Sequence, residues 1–332
     1  MNVGLATRVR TPDDAVIAEA AQILSAGGLV AFPTETVYGL GADATHAVAI
    51  ARLYAVKGRP AFNPLIAHVL DAASARELGR FDESADRLAA LWPGPLTLVL
   101  PKLPTCQVAE LATAGLDTIA VRVPSHPVAR ALLTEVRGPI VAPSANRSGH
   151  VSPTTAEHVR ADLAGQVDLI IDGGATPVGL ESTIIACVGA KPLLLRSGGL
   201  PRTTIERTMG RPIAGSGTAV VETGEAPRAP GMLSSHYAPR TPLRLDATGV
   251  SRSEALLAFG QPLSGAMRVL NLSASGDLVE AAANLFSHMR ALDSVGASAI
   301  AVMPIPHDGL GEAINDRLAR AAAPRDVIKD QS

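Results

Sequence analysis

The sequence predicts an α/β fold of the α+β-like kind: a twisted mixed sheet with flanking helices, then a smaller α/β unit. Three observations predict it. Strand-like and helix-like segments alternate over residues 1–210. Adjacent strand-like segments near 96–123 and 167–196 break the regular strand–helix repeat of a dinucleotide fold, so the sheet is mixed. Alternation then restarts after a Gly-, Pro-, Ser- and Ala-rich stretch with no helical period. These breaks predict a main domain over 1–210, a linker over 211–240 and a small domain over 241–332.

TPDDAVIAEAAQILSAGG fits a helix capped by Thr11, with Pro12 in the first turn. Asp13 and Asp14 suit its positive end, and Gly27 and Gly28 end it. LVAF is a strand that stops at Pro33, which cannot donate to a central ladder. PTETVYGLGA, 33–42, then puts Glu35 between two threonines, with Tyr38 and a glycine turn after it. HAVAIARLYAVKG is a helix ending near Gly58, and FNPLIAHV leads into a strand. SADRLAALW is helical and is stopped by Pro93 and Gly94. LTLVLPK and TIAVRVP are strands closed by proline, and HPVARALLTEV is a helix with proline in its first turn. PIVAPSAN is a strand feeding a polar loop. TTAEHVRADLAG has a capping-box pattern from Thr154 to Glu157. VDLIIDGG, STIIAC and KPLLLRSGG are strands. Beyond the linker, AMRVLNLS and SAIAVMPIP are strands, and DLVEAAANLFSHMRALDSVG and GLGEAINDRLARAAA are helices, a small Rossmann-like unit without GxGxxG.

Composition narrows the function. Hydrophobic residues make up 47% and aromatics 3% of 332 residues, so the cores are aliphatic. Net charge is −2, which argues against tight nonspecific nucleic-acid binding. Cys106 and Cys187 form no CxxC pair, and the eight histidines show no HExxH, so no structural metal is expected. No basic-then-apolar leader opens the chain and no apolar run of about 18 residues appears in it, so cytoplasm is the expected compartment.

Three polar clusters carry the candidate chemistry. KGRPAFNPLIAH, 57–68, holds Lys57, Arg59, Asn63 and His68 between a helix end and a strand. Its cations suit phosphates, or they simply complement a helix C-terminus. APSANRSGHVSPT, 142–154, offers Ser144, Asn146, Ser148, Gly149 and Ser152 at a strand end, either as a ligand loop or as Asx and Ser turns. GLESTIIAC and LLLRSGG bring Glu181, Ser182, Thr183 and Arg196 to strand ends. Arg122 stands inside an apolar strand, where a buried guanidinium needs a structural carboxylate or a bound anion. In the linker, HYAP carries two polar rings, which fits either a spacer or a segment lying over a site. There is no P-loop, no nucleophile elbow and no hydrolytic carboxylate pair. The residues point to a pocket for a small anionic or zwitterionic ligand with phosphates, without fixing a reaction.

The runs PTETVYGLGA, KGRPAFNPLIAH, PGPLTLVL, AVRVPSHP, APSANRSG and GLESTI resemble the threonylcarbamoyl-AMP synthase family, whose catalytic domain is the YrdC-like fold. SSHYAP and the small α/β unit after it resemble the longer, two-domain form. The resemblance spans nearly the whole chain. It implies an enzyme that joins L-threonine, bicarbonate and ATP, with Mg²⁺ carried by the nucleotide. Pyrophosphate is released, and threonylcarbamoyl-AMP passes to proteins that modify tRNA beside the anticodon.

On that resemblance Thr34, His68, Arg122 and Ser182 hold threonine, with Arg122 on its carboxylate. Lys57 and Arg59 supply electrostatics and positioning, and Asn63 faces ATP. Thr118, the main chain at Ala142, Ser144, Asn146, Ser152, Arg196 and Tyr237 line the nucleotide side, while Glu35 and Tyr38 shape the site. Ser197 departs from the proline common after the arginine of LRPG. The resemblance further implies a carbamate of threonine attacking the α-phosphorus, with HYAP closing over the intermediate. Rival expectations are a double-stranded RNA-binding module, to which near-neutral charge allows only weak contact, and a carbamoyl-transfer maturation enzyme, whose zinc-finger CxxC pairs are not in the sequence. A regulatory protein with a degenerate site is the third, disfavoured by the intact clusters.

Overall fold

The computed structural model describes residues 6–215 and 236–323; the middle of the predicted linker lies outside the described residues. In chain order the larger part runs β1 (Arg8–Arg10), α1 (Asp14–Ser25), β2 (Val30–Pro33), β3 (Tyr38–Asp43), α2 (Ala47–Lys57), β4 (Ile66–His68), α3 (Ala72–Arg76), α4 (Glu83–Ala89) and β5 (Leu96–Pro101). It continues with α5 (Glu110–Thr113), β6 (Thr118–Arg122), α6 (Pro127–Val136), β7 (Ile140–Val141), α7 (Ala156–Leu163), β8 (Leu169–Ile171), β9 (Thr183–Ala186), β10 (Leu193–Arg196) and α8 (Arg202–Met209). The second part is β11 (Leu243–Arg244), β12 (Ala255–Ala258), β13 (Arg268–Asn271), α9 (Leu278–Asp293), β14 (Ile300–Val302) and α10 (Gly311–Ala322).

Ten strands form one mixed sheet in the order β1-β8-β2-β3-β7-β4-β6-β5-β9-β10. The pairs β2/β3 and β5/β6 are antiparallel, while β4/β6 and β5/β9 are parallel. The second sheet, β11-β14-β12-β13, is parallel throughout. This is the mixed α/β architecture the sequence predicts.

Local physics moves several boundaries. The N-cap of α1 is Asp13, whose carboxylate accepts from the Val16 N–H, and not Thr11. For α7 the cap is Thr155 rather than Thr154. The YGLGAD stretch is the strand β3, not a glycine turn. A Cβ at Gly41 would lie 2.8 Å from the Phe32 ring, so this glycine answers to close packing against β2.

Two halves of the large sheet are covered differently. Around β2, Ala31 packs into a core shared with α2 and α7, while Val30 and Phe32 pack on the opposite face with α1 and α6. Helices therefore cover both faces there. Around β6, Ile119 and Val121 join the first core. Ala120 faces the other way, into a cluster with Ile66, Val99, Ile184, Ala186 and Leu195, all from strands. That strand-only face carries the site.

Candidate active site

Strand parity places the polar residues on this face. Arg122 shares it with Ala120 and Thr118, because side chains alternate along β6. Register sets His68 beside Arg122 across β4/β6, and Thr97 beside Arg122 across β5/β6. Between Leu194 and Arg196 the β9/β10 ladder slips. This bulge brings Arg196 level with Ile184, on the same face as Leu195.

Arg59, His68, Arg122, Ala142, Ser144, Ser182, Arg196 and Tyr237 all line one cleft of about 50 Å³. Thr36, Val37, Ile66, Pro143, Glu181 and His236 complete its wall. Thr34, Lys57, Asn63, Asn146 and Ser152 do not line it. They are buried around it and brace its walls. Thr118 lines an adjoining apolar groove of about 410 Å³ with Val99, Ala186 and Leu195. A further cavity of about 380 Å³ opens at the other end of β3, around Asp43 and Arg137, and holds none of the predicted residues. Chemistry rather than size therefore singles out the small cleft.

The bracing is specific. Lys57 Nζ donates to the carbonyls of Ser144 (2.5 Å) and Asn146. Arg59 donates to the carbonyls of Asn63 (3.2 Å) and Pro64 (2.9 Å). Among the described residues neither cation has a carboxylate partner. Burial, then the charge of Arg59, pulls Lys57 well below its ordinary range. Arg59 is drawn down to about 10, first by burial. Arg122 donates to Glu35 Oε1 at 2.5 Å and to Thr36 Oγ1 at 2.9 Å, so the structural carboxylate partner is present. Burial would raise Glu35, but the Arg122 charge and hydrogen bonds lower it on balance. Arg196 donates to the Ser182 carbonyl at 2.8 Å, and Ser152 Oγ donates to Glu181 Oε1 at 2.5 Å. Asn146 Nδ2 holds the carbonyls of Arg147 and His150, fixing the loop. Thr34 Oγ1 donates to the Val37 carbonyl and orders the turn after β2.

His68 is held neutral. Burial, then the Arg122 charge, lowers it to about 3, and one ring nitrogen meets the Ile66 carbonyl. His236 is likewise lowered to about 3, first by burial, and its Nδ1 is buried with no hydrogen-bond partner among the described residues. Tyr237 has φ of 63°, an outlier for a bulky residue, and stacks on Phe286 of α9 with ring centroids 5.5 Å apart. Glu181, Thr36 and His236 are wall residues whose roles sequence alone does not assign. The available signal is adjacency: Glu181 beside Ser182, Thr36 beside Glu35, His236 beside Tyr237. Among the described residues no cluster of three His, Cys, Asp or Glu side chains could hold a metal ion.

A mixed-sheet protein whose strand-only face gathers three arginines, a neutral histidine and several hydroxyls around one cleft is of the class that takes small anionic ligands beside phosphates. Comparison gives the family. Residues 22–198 match the Sua5/YciO/YrdC model, described as "Telomere recombination". Residues 201–323 match the model of the threonylcarbamoyl-AMP synthase C-terminal domain. The chain belongs to the threonylcarbamoyl-AMP synthase family. It is 41% identical to the threonylcarbamoyl-AMP synthase of Bacillus subtilis, covering 94% of each chain. With that of Pyrococcus abyssi it shares 42% identity, over 93% of this chain and 94% of the relative. The crystal structure of P. abyssi Sua5 complexed with L-threonine superposes with a TM-score of 0.86 at 38% identity, covering 96% of this chain and 97% of that one.

Proposed function

We propose that this chain is a nucleotidyltransferase, L-threonylcarbamoyladenylate synthase, which makes threonylcarbamoyl-AMP and pyrophosphate from L-threonine, bicarbonate and ATP. The observation that carries the proposal is the convergence of Arg59, Arg122 and Arg196 on one cleft, with Arg59 and the adjoining Lys57 held by main-chain carbonyls and, among the described residues, by no carboxylate. Two buried cations without an acid are costly, and an anion offsets that cost. Threonine sits against Arg122, His68 and Ser182, with Thr34 ordering the turn that carries Thr36. Its carboxylate shares Arg122 with Glu35.

ATP lies along the strand-only face, with Arg59, Lys57 and Arg196 toward its phosphates and Mg²⁺ arriving with the nucleotide. Asn63 braces Arg59. Ala142, Ser144, Asn146 and Ser152 form the wall beside the phosphates and ribose. Four residues of strand separate Arg122 from Thr118, about 13 Å, which suits a nucleoside lying over the apolar groove with its base near Thr118. Tyr237 and His236 form one wall of this cleft. On this reading the two rings swing outward to admit substrates and back over the intermediate, so that the linker also serves as a lid.

The unprotonated threonine amine adds either to carbon dioxide, losing a proton to solvent, or to bicarbonate, with water leaving; both routes give a carbamate. A carbamate oxygen attacks the α-phosphorus, the bond to the β,γ-phosphates breaks, and pyrophosphate leaves. Positioning and charge carry the step. A histidine lowered to about 3 is the neutral imidazole at neutral pH, so it orients the amine and carries no positive charge. The product passes to tRNA threonylcarbamoyl-transfer proteins in the cytoplasm. With a net charge of −2, direct contact with tRNA or double-stranded RNA is weak. No described helix is long and apolar enough to cross a membrane.

The test is pyrophosphate release with each substrate omitted in turn, with the product's mass measured. Release that persists without threonine or bicarbonate refutes the proposal. Replacing Arg59 with alanine lowers kcat/KM for ATP roughly 10- to 150-fold, the loss of one charge-assisted contact of about 1.5–3 kcal/mol.

A further inference from the structure

The second part of the molecule contributes to the cleft. Val37 and Tyr237, two cleft residues, belong to the same core as Leu285, Phe286, Ile314 and Leu318 of α9 and α10. Arg317 of α10 is fully buried. Its Nε donates to Glu181 Oε2 at 2.8 Å, its Nη1 to Asp316 Oδ2 at 2.6 Å and its Nη2 to the Ser197 carbonyl at 3.0 Å. The guanidinium carbon lies 5.1 Å from the centre of the Tyr237 ring. One turn on, the Arg320 carbonyl accepts the His236 N–H at 3.3 Å. A single side chain thus touches the loop before Ser182, the turn after Arg196 and the ring from the linker. Glu312 of the same helix accepts from Ser197 Oγ at 2.8 Å, so the serine that departs from the family's proline is itself a docking point for α10.

We propose that Arg317 is a positioning residue for the synthase reaction, by engaging Glu181 and seating Tyr237. Glu181 lines the cleft, and its two oxygens are taken by Ser152 and Arg317. Without Arg317 that buried carboxylate is left facing Arg196, the neighbouring cation on the nucleotide side. It would then compete with phosphate for the guanidinium, and Tyr237 would lose the charge beneath its ring. The inference rests on assigning Arg196 and Tyr237 to the nucleotide.

The test uses the full-length chain and steady-state pyrophosphate release, with ATP and threonine varied separately. R317M raises KM for ATP about tenfold or more and KM for threonine less than about threefold, because the contact acts through the nucleotide side. R317K, which keeps the charge without the fork, falls between R317M and the parent chain. E181Q/R317M, which removes the stranded charge, recovers KM for ATP to within about threefold of the parent. A merely structural role lowers Tm and the active fraction while leaving both KM values in place. Folded R317M with KM for ATP within about twofold of the parent overturns the inference, as does a double variant no better than R317M. If R317M does not fold, R317K carries the test, and unchanged KM for ATP there overturns it. R196M and Y237F are measured in parallel. If these leave KM for ATP unchanged, the nucleotide assignment fails; if they raise it and the Arg317 variants do not, only the present inference fails.

Discussion

Arg122 and Glu35 show the cost of a charge inside an apolar strand. Both are nearly buried, at 5% and 8% side-chain exposure, so each depends on the other. Removing one partner of such a pair costs about 3–5 kcal/mol, because the remaining charge stays buried. Glu35→Ala therefore lowers the unfolding free energy by about that amount, read from denaturant titration. The carboxyl is held below its usual range, so its stabilisation is present above the unfolded pKa and lost as pH falls. These charged residues were legible in the sequence because a guanidinium in TIAVRVP violates the apolar pattern. What sequence left open was the partner, since Glu35 and Arg122 meet across 87 positions. His236 was harder still: only the fold shows that its ring closes the same wall as Arg59.

At the scale of elements, the β10 bulge and the turn after it aim Arg196. A Cβ at Gly198 would lie 2.3 Å from the Glu181 carbonyl and 2.6 Å from the Thr183 nitrogen, so β9 and this turn touch backbone to backbone. Gly198→Ala forces them apart. The variant folds with about 1–3 kcal/mol less stability and loses ATP-dependent pyrophosphate release beyond what the lost folded fraction explains, measured by melting and kinetics on the same preparation. Long periodic helices such as α6, α9 and α10 were legible, because their apolar spacing repeats over several turns. The strands β1 and β12 and the helix α8 were not. β1 is three exposed residues, and β12 is ALLA, as compatible with a helix as with a strand. The glycines of β3 read as a turn because sequence shows neither the Phe32 ring that Gly41 makes room for nor the Ala142 methyl against Gly39.

For the whole molecule, buried neutral histidines set the acid limit. His68 and His236 are lowered from 6.5 to about 3, so the unfolded chain takes up protons that the folded one refuses. Stability from both is complete above about 6.5 and drains away as pH falls toward 3. Tm measured from pH 8 to pH 5 is flat and then declines below about 6.5, and His236→Gln shallows the decline. Alternation and the Pro/Gly break predict two units, but nothing in local spacing shows that Val37, Val151 and Leu180 join the core of α9 and α10, or that Arg317 meets Glu181. That contact has a temporal side. Residue 317 follows residue 181 by 136 positions, roughly 7 to 27 s of ribosomal elongation at about 5–20 residues per second. A nascent chain therefore carries Glu181 without Arg317 for that interval, and the contact forms only once translation has delivered α10.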